Sequence, residues 1–173
     1  MVENPLEIRL ESPTDIDDIY RVNRHAFARE NEARLVNALR SAGVPLISLI
    51  AADGEKIVGH ILFSPVAVRG PRGQWSAVAL GPMAVLPEKQ NQGIGSILVE
   101  TGLDACYAAG HDIVFVLGHP AYYPRFGFVP SEPLGLRCEF DVPPDVFMVR
   151  LAPGTNLHGR SGVVHYHPAF HTV

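Results

Sequence analysis

Apolar positions along the chain recur first at helical spacing and then in strand-like alternation. Ser12-Pro13-Thr14-Asp15 reads as a helix start, with an N-cap hydroxyl, a proline in the first turn and an acid facing the positive dipole end. Ile16, Ile19, Tyr20, Asn23 and Phe27 then fall on one stripe, which predicts a helix to about Phe27. After the polar stretch Arg29-Glu30-Asn31-Glu32, Leu35, Val36 and Leu39 form the stripe of a second helix. Residues 46–51 are mostly apolar, Asp53-Gly54 supplies a turn, and alternation resumes from Lys56 to Val68, so a β-hairpin is expected. Gly70 to Gly73 makes the next loop, and Ser76 to Leu86 reads as a third strand antiparallel to its neighbour.

Ile94, Ile97, Leu98, Leu103 and Tyr107 mark a helix over 93–109, with Gly110 as its stop. Ile113 to Leu117 is a compact apolar run, short enough for a buried strand parallel to the one at 76–86. A β-loop-α-β unit results. A short helix near Tyr122 to Phe126 and strands around Phe128 and at 146–151 complete a mixed α/β domain, while the chain beyond Pro153 shows no readable pattern.

Length and composition narrow the function. The 173 residues fit one domain over 1–173, and no apolar run reaches the roughly 20 residues of a membrane helix. Fourteen Lys and Arg against eighteen Asp and Glu leave a formal charge of −4, which argues against nucleic acid as a partner. Cys106 and Cys138 are too few for a structural zinc site and too far apart for a redox pair. The opening Met-Val-Glu-Asn-Pro has no secretory pattern, so a cytoplasmic setting with free thiols is expected.

The chemistry concentrates at Val85-Leu86-Pro87-Glu88-Lys89-Gln90-Asn91-Gln92-Gly93-Ile94-Gly95, where a strand ends and a helix begins. A helix N-terminus leaves about four amides unpaired and carries about half a positive charge, and two glycines let an anion such as a pyrophosphate come close. Two other phosphate loops fail here. The Walker pattern needs Lys and then Ser or Thr after its glycine, but Gly95 is followed by Ser96-Ile97; the dinucleotide pattern needs a third glycine where Leu98 stands. What remains is Gln-x-x-Gly-x-Gly.

In context this segment resembles the acetyl-coenzyme A loop of the GNAT N-acetyltransferase superfamily, with Val85, Pro87, Gln90, Gly93 and Gly95 at the family's positions. A second block, Pro120 to Phe128, is similar to the family's Ala-x-x-Phe-Tyr-x-x-x-Gly-Phe segment. Together with Leu117-Gly118-His119 it looks especially like the YhbS-type subgroup. The resemblance spans about residues 8 to 130 and leaves 131–173 unassigned. Pro124 departs from the pattern and shortens the expected helix there.

The resemblance implies an α/β (α+β) fold with a central mixed, mostly antiparallel sheet flanked by helices, and acetyl-CoA as the acyl donor. The coenzyme would be held by the backbone of Met83, Ala84 and Val85 and by the loop Gln90, Asn91, Gln92, Gly93, Ile94, Gly95 and Ser96. Tyr123 takes the place of the family's general acid, and Glu32, in the region that overhangs the acceptor site, is the first choice for the base. His25, His60 and His119 are the other candidate bases, although His60 within a strand suits a hydrogen-bonded sheet residue better. Tyr122 reads as a core aromatic, and Lys89 and Arg125 are cations near the phosphate position. The histidine-rich run 165–171 has no carboxylate or thiolate at ligand spacing, so no metal is expected.

The activity implied is direct attack by a small-molecule or peptide amine on acetyl-CoA in a ternary complex, with Cys106 dispensable. The alternative is a catalytically silent module that binds coenzyme A as a sensor. Exposed sheet edges and an apolar tail make a homodimer the candidate assembly.

Overall fold

The computed structural model describes residues 4–173. In chain order the elements are β1 (Leu6–Leu10), α1 (Ile16–Phe27), α2 (Asn31–Ser41), β2 (Ile47–Asp53), β3 (Lys56–Gly70) and β4 (Gly73–Val85). They continue as α3 (Ile94–Ala108), β5 (Ile113–Leu117), β6 (Val129–Pro130), β7 (Leu136–Cys138), β8 (Phe147–Leu151) and β9 (Gly162–His165). The expected helices and central strands are present within a few residues of their predicted limits. β1, β7 and β9 are additions.

The entry to α1 shows why the chain turns where it does. Pro13–Asp15 forms a single 3-10 turn, and the Asp15 carboxylate accepts from the Ser12 N–H at 2.7 Å. It also receives both terminal nitrogens of Arg9, at 2.7 and 3.0 Å. The fork of Arg9 holds this buried carboxyl well below the usual range, at about 2.

The strands form one sheet in the order β1-β2-β3-β4-β5-β8-β6. All the pairings along this order are antiparallel except β4 with β5, which is the expected parallel crossover through α3. β3 is fifteen residues long and does double duty. Its first half pairs with β2, and beyond the end of β2 its second half takes β9 along Ala67–Arg69, with β7 next to β9.

Side-chain alternation covers both faces. On β4 and β5, Val78, Leu80, Val114 and Val116 enter a core shared with the three helices, whereas Ala77, Ala79, Ile113 and Phe115 enter a second core with Phe147, Leu136 and Val164. In α3 the stripe is turned slightly from the expected one. Ile94, Leu98, Leu103 and Cys106 are buried with Val99, but Ile97 faces out at 42% exposure. Gly102 lies flush against the Phe63 ring, where a side chain would collide.

The feature that positions the site is a gap in this sheet. β5 pairs with β4 only from Val78 to Leu80, yet β4 continues to Val85 with β3 as its sole partner. Between Leu80 and Met83 the register slips, so that Gly81 and Pro82 oppose Leu62 alone. Such a bulge bends its strand and tolerates a proline that cannot donate. β4 and β5 therefore splay apart beyond Leu80.

Candidate active site

The gap opens into a cavity of about 1220 Å³ that joins the splayed strands, the loop before α3, the α1–α2 junction and the C-terminal segment. Along its β4 edge the backbone is available on one side. The Leu86 N–H donates to the Val58 carbonyl at 2.9 Å. By the alternation of an antiparallel ladder, Ala84 also turns its backbone to β3, while Met83 and Val85 turn theirs to the open side. Of the three residues expected to hold the coenzyme by their main chain, Ala84 is thus already engaged, and Met83 and the N–H of Val85 face the open side, where a strand-like partner could add.

The loop is built as an amide cradle. After a 3-10 turn at Pro87–Lys89, Asn91 and Gly93 take left-handed conformations (φ 60° and 85°) and set the entry to α3. The first intrahelical bond runs from the Ile97 N–H to the Gly93 carbonyl at 3.1 Å. Among the described residues, the six N–H groups from Asn91 to Ser96 consequently have no acceptor. Together with the dipole of the fifteen-residue α3 they could hold an anion. Gly95 is required by close approach, because the Tyr122 hydroxyl occupies the space 2.9 Å from where its Cβ would stand.

Side chains in the loop act mainly on the loop itself. Gln90 Nε2 donates to the Val85 carbonyl at 3.0 Å and ties the loop back to β4. Gln92 Nε2 reaches the Glu88 carbonyl at 3.3 Å, and Gln92 does not line the cavity, so only its backbone remains to serve a ligand. Lys89 and Arg125 both line the cavity. Lys89 bonds Asp53 at 2.7 Å, and Arg125 lies over the Tyr122 ring at 4.5 Å.

Tyr123 and Glu32, far apart in sequence, line the same cavity. Tyr123 sits in a one-turn 3-10 helix over Tyr123–Phe126, where Pro124 fits because the first turn needs no donor. Its ring is packed edge-on against Tyr122 and Phe128, with centroids at 5.1 and 5.7 Å, and Gly118 leaves room for it. Burial, with Tyr122 alongside, pushes its hydroxyl well above the ordinary tyrosine range, so the group keeps its proton at neutral pH. Among the described residues that hydroxyl has no hydrogen-bond partner.

Glu32 belongs to no solvated helix face. It is 5% exposed, and the Arg29 guanidinium engages both of its oxygens. Tyr122, read from the sequence as a core residue, packs against the core and also walls the cavity, with its hydroxyl over Gly95.

The histidines sort clearly. His60 is fully buried and neutral: Asn23 Nδ2 donates to Nδ1 at 3.0 Å, which leaves the Nε2–H to donate to Ser48 Oγ at 2.9 Å. Desolvation, with Arg40 adding to it, lowers its pKa to about 3. His25 is exposed on α1 away from the cavity, and His119 lines it. In the tail, His171 Nε2 bonds Glu139 Oε1 at 2.6 Å, His165 lies 3.5 Å from the other oxygen, and His167 accepts the Ala169 N–H. Among the described residues no group of three or more His, Cys, Asp or Glu is placed to hold a metal.

Sequence reasoning missed the C-terminal wall of the cavity, which includes Phe140, Val142, Tyr166, Phe170 and His171. The strands that precede them, β7 and β9, are three and four residues long, too short for periodicity to register, and the pairing of β9 with β3 is a long-range event.

Comparison with known proteins agrees with this geometry. Residues 7–130 match the family described as an acetyltransferase (GNAT) domain. The Escherichia coli (strain K12) protein named uncharacterized N-acetyltransferase YhbS is 38% identical over 94% of this chain and 97% of its own. The crystal structure of E. coli YhbS in complex with CoA superposes with a TM-score of 0.90 at 35% identity, covering 97% of this chain and 94% of that one. A GNAT family acetyltransferase from Brucella melitensis in complex with acetyl-CoA gives 0.79 at 34% identity, over 96% and 98%. With the splayed strands, the amide cradle and these matches in place, the chain belongs to the GNAT acetyltransferase family.

Proposed function

We propose that this acetyltransferase moves an acetyl group from acetyl-CoA to a primary amine by direct attack within a ternary complex. The observation that carries this reading is the run of six unpartnered N–H groups from Asn91 to Ser96 at the head of α3. Such a run suits the pyrophosphate of a coenzyme and leaves its pantetheine arm to follow the open edge of β4.

The reaction then uses groups already in the cavity. Val85's carbonyl is occupied by Gln90, so the pantetheine arm would bond the remaining groups of Met83 and Val85, and an amide here would stabilise the oxyanion. Glu32 takes the proton of the ammonium, directly or through water, and frees its nitrogen to attack the thioester carbon. The carbon–sulfur bond breaks, and the thiolate takes the proton that burial keeps on Tyr123. The second proton of the acylated nitrogen passes through water to the tyrosine oxygen and the proton on Glu32 leaves to solvent, so the cycle closes with one net proton released and without a covalent enzyme intermediate. Acetyl-CoA as donor and two free cysteines support a cytoplasmic reading, and no described helix is long and apolar enough to cross a membrane.

Thiol release from acetyl-CoA, measured over a panel of amines, tests this reading. Tyr123→Phe is expected to lower kcat by about 10²- to 10⁴-fold while coenzyme A affinity stays within about twofold of wild type. A Tyr123→Phe enzyme with the wild-type kcat would remove tyrosine from the mechanism.

A further inference from the structure

The part of the cavity furthest in sequence from the loop is built by residues beyond the family match, which ends at residue 130. β9 adds to β3, β7 adds to β9, and the turn that follows, Pro168–Thr172, comes to rest on α2. Three aromatic rings are gathered there. The centroids of Phe140 and Tyr166 lie 5.4 Å apart and those of Tyr166 and Phe170 5.0 Å, and all three rings line the cavity together with Phe27 and Leu35.

This wall is fixed in place. The Glu139 carboxylate, itself largely buried, accepts the Tyr166 N–H at 2.6 Å and His171 Nε2 at 2.6 Å. His171 is thereby held edge-on to Phe140, with centroids 5.4 Å apart. A preorganised apolar surface loses little in ordering when a ligand arrives.

Its charge is equally informative. Among the described residues, the lysine and arginine lining the cavity, Lys89 and Arg125, sit in the coenzyme loop and beside Tyr122. Toward the aromatic wall the carboxylates are Glu32 on α2, which Arg29 holds from outside the cavity, and Glu139 behind His171. Among the described residues the one guanidinium lining the cavity, that of Arg125, is laid over Tyr122 and away from this wall, whereas ring faces and carboxylates both attract an ammonium.

Resting on the acetyltransferase reading above, we infer that the Phe140–Tyr166–Phe170 wall selects the acceptor, a primary amine carried on an aromatic or apolar body with no acid group beside the nitrogen.

The test compares kcat/KM for 2-phenylethylamine, phenylalanine and spermidine at saturating acetyl-CoA, with coenzyme A binding followed separately by calorimetry. 2-Phenylethylamine is expected to exceed both others by at least about tenfold. Phe170→Ala should raise its KM about tenfold and Phe140→Leu somewhat less, with kcat and the KM for acetyl-CoA within about twofold. Melting curves establish that each variant is folded, and the two substitutions back each other if one is not. A preference for phenylalanine or spermidine, or no turnover of any of the three by protein that binds coenzyme A, overturns the acceptor assignment and leaves the coenzyme site standing. An unchanged KM in both folded variants does the same. Absence of coenzyme A binding overturns the underlying reading and the assignment with it.

Discussion

Replacing Gly95 with alanine should separate coenzyme affinity from folding. A Cβ at this position would stand 2.9 Å from the Tyr122 hydroxyl and 3.4 Å from Met83 Cε, both in residues that line the cavity. The added methyl group therefore projects into the space over the cradle. The backbone at Gly95 is outside the left-handed region, so alanine is conformationally acceptable there. Alanine forms helix better than glycine, but the Tyr122 hydroxyl has to shift to admit the methyl group, so the two effects oppose and stability should stay within about 1 kcal/mol of wild type. Binding should change more. A hydrogen bond to a charged acceptor is worth about 1.5–3 kcal/mol, so a methyl group that holds the anion off one of the six amides weakens coenzyme A by about ten- to a hundredfold. Calorimetric titration of coenzyme A into wild type and Gly95→Ala, with melting curves of the unliganded proteins, reads both quantities. A dissociation constant within about twofold of wild type in a fully folded variant would refute the placement of the anion on this loop.

Further consequences can be checked at other positions. Gly118→Ala would set a methyl group against the Tyr123 ring, and steady-state kinetics should show kcat falling at least about tenfold with coenzyme A affinity unchanged. Burial raises the Cys106 thiol to about 12, so it is no nucleophile at neutral pH, and Cys106→Ala should keep wild-type kcat at a stability cost of about 1 kcal/mol. His60 stays neutral in the fold down to about 3 but takes up a proton near its ordinary value once unfolded. Protonation thus favours the unfolded chain between about pH 6.5 and 3, and melting temperature should decline across that window less steeply in His60→Gln than in wild type. Asp15 titrates the opposite way round, with its folded value lowered to about 2. Its contribution is complete above about pH 4 and fades toward pH 2, so Asp15→Asn, followed by denaturant titration, should cost about 1–2 kcal/mol at pH 7 and almost nothing at pH 2; the range allows for solvent screening at the partly exposed Arg9.

The elements that were legible in the sequence were those whose local pattern and tertiary role agree. α1, α2, the β2–β3 hairpin and the β4–α3–β5 unit each carry enough residues for periodicity, caps and turns to speak together. The loop at 85–95 was legible because its glycines and polar residues stand where no core demand competes. β1 has the alternation Leu6, Ile8, Leu10, yet five residues ahead of a strong helix start did not stand out. Ile97 was assigned to the buried stripe because spacing alone cannot say which edge of a helix the sheet will cover. The burial of Glu32 was not legible in the polar stretch 29–32, because the cavity wall around it is supplied by the fold. The His-rich tail suggested a run of imidazoles without a purpose, and Glu139, more than twenty residues earlier, is what organises two of them.

The three rungs that join β9 to β3 give the enzyme an architectural constraint. The strand that backs the open edge of β4 is also the strand on which the C-terminal aromatic wall hangs. The proposed donor and acceptor surfaces therefore share one rigid spine and cannot be exchanged as independent cassettes. An engineered change of acceptor that replaces the chain after residue 130 has to keep the ladder to Ala67–Arg69, or the grafted wall will have nothing to register it against the thioester.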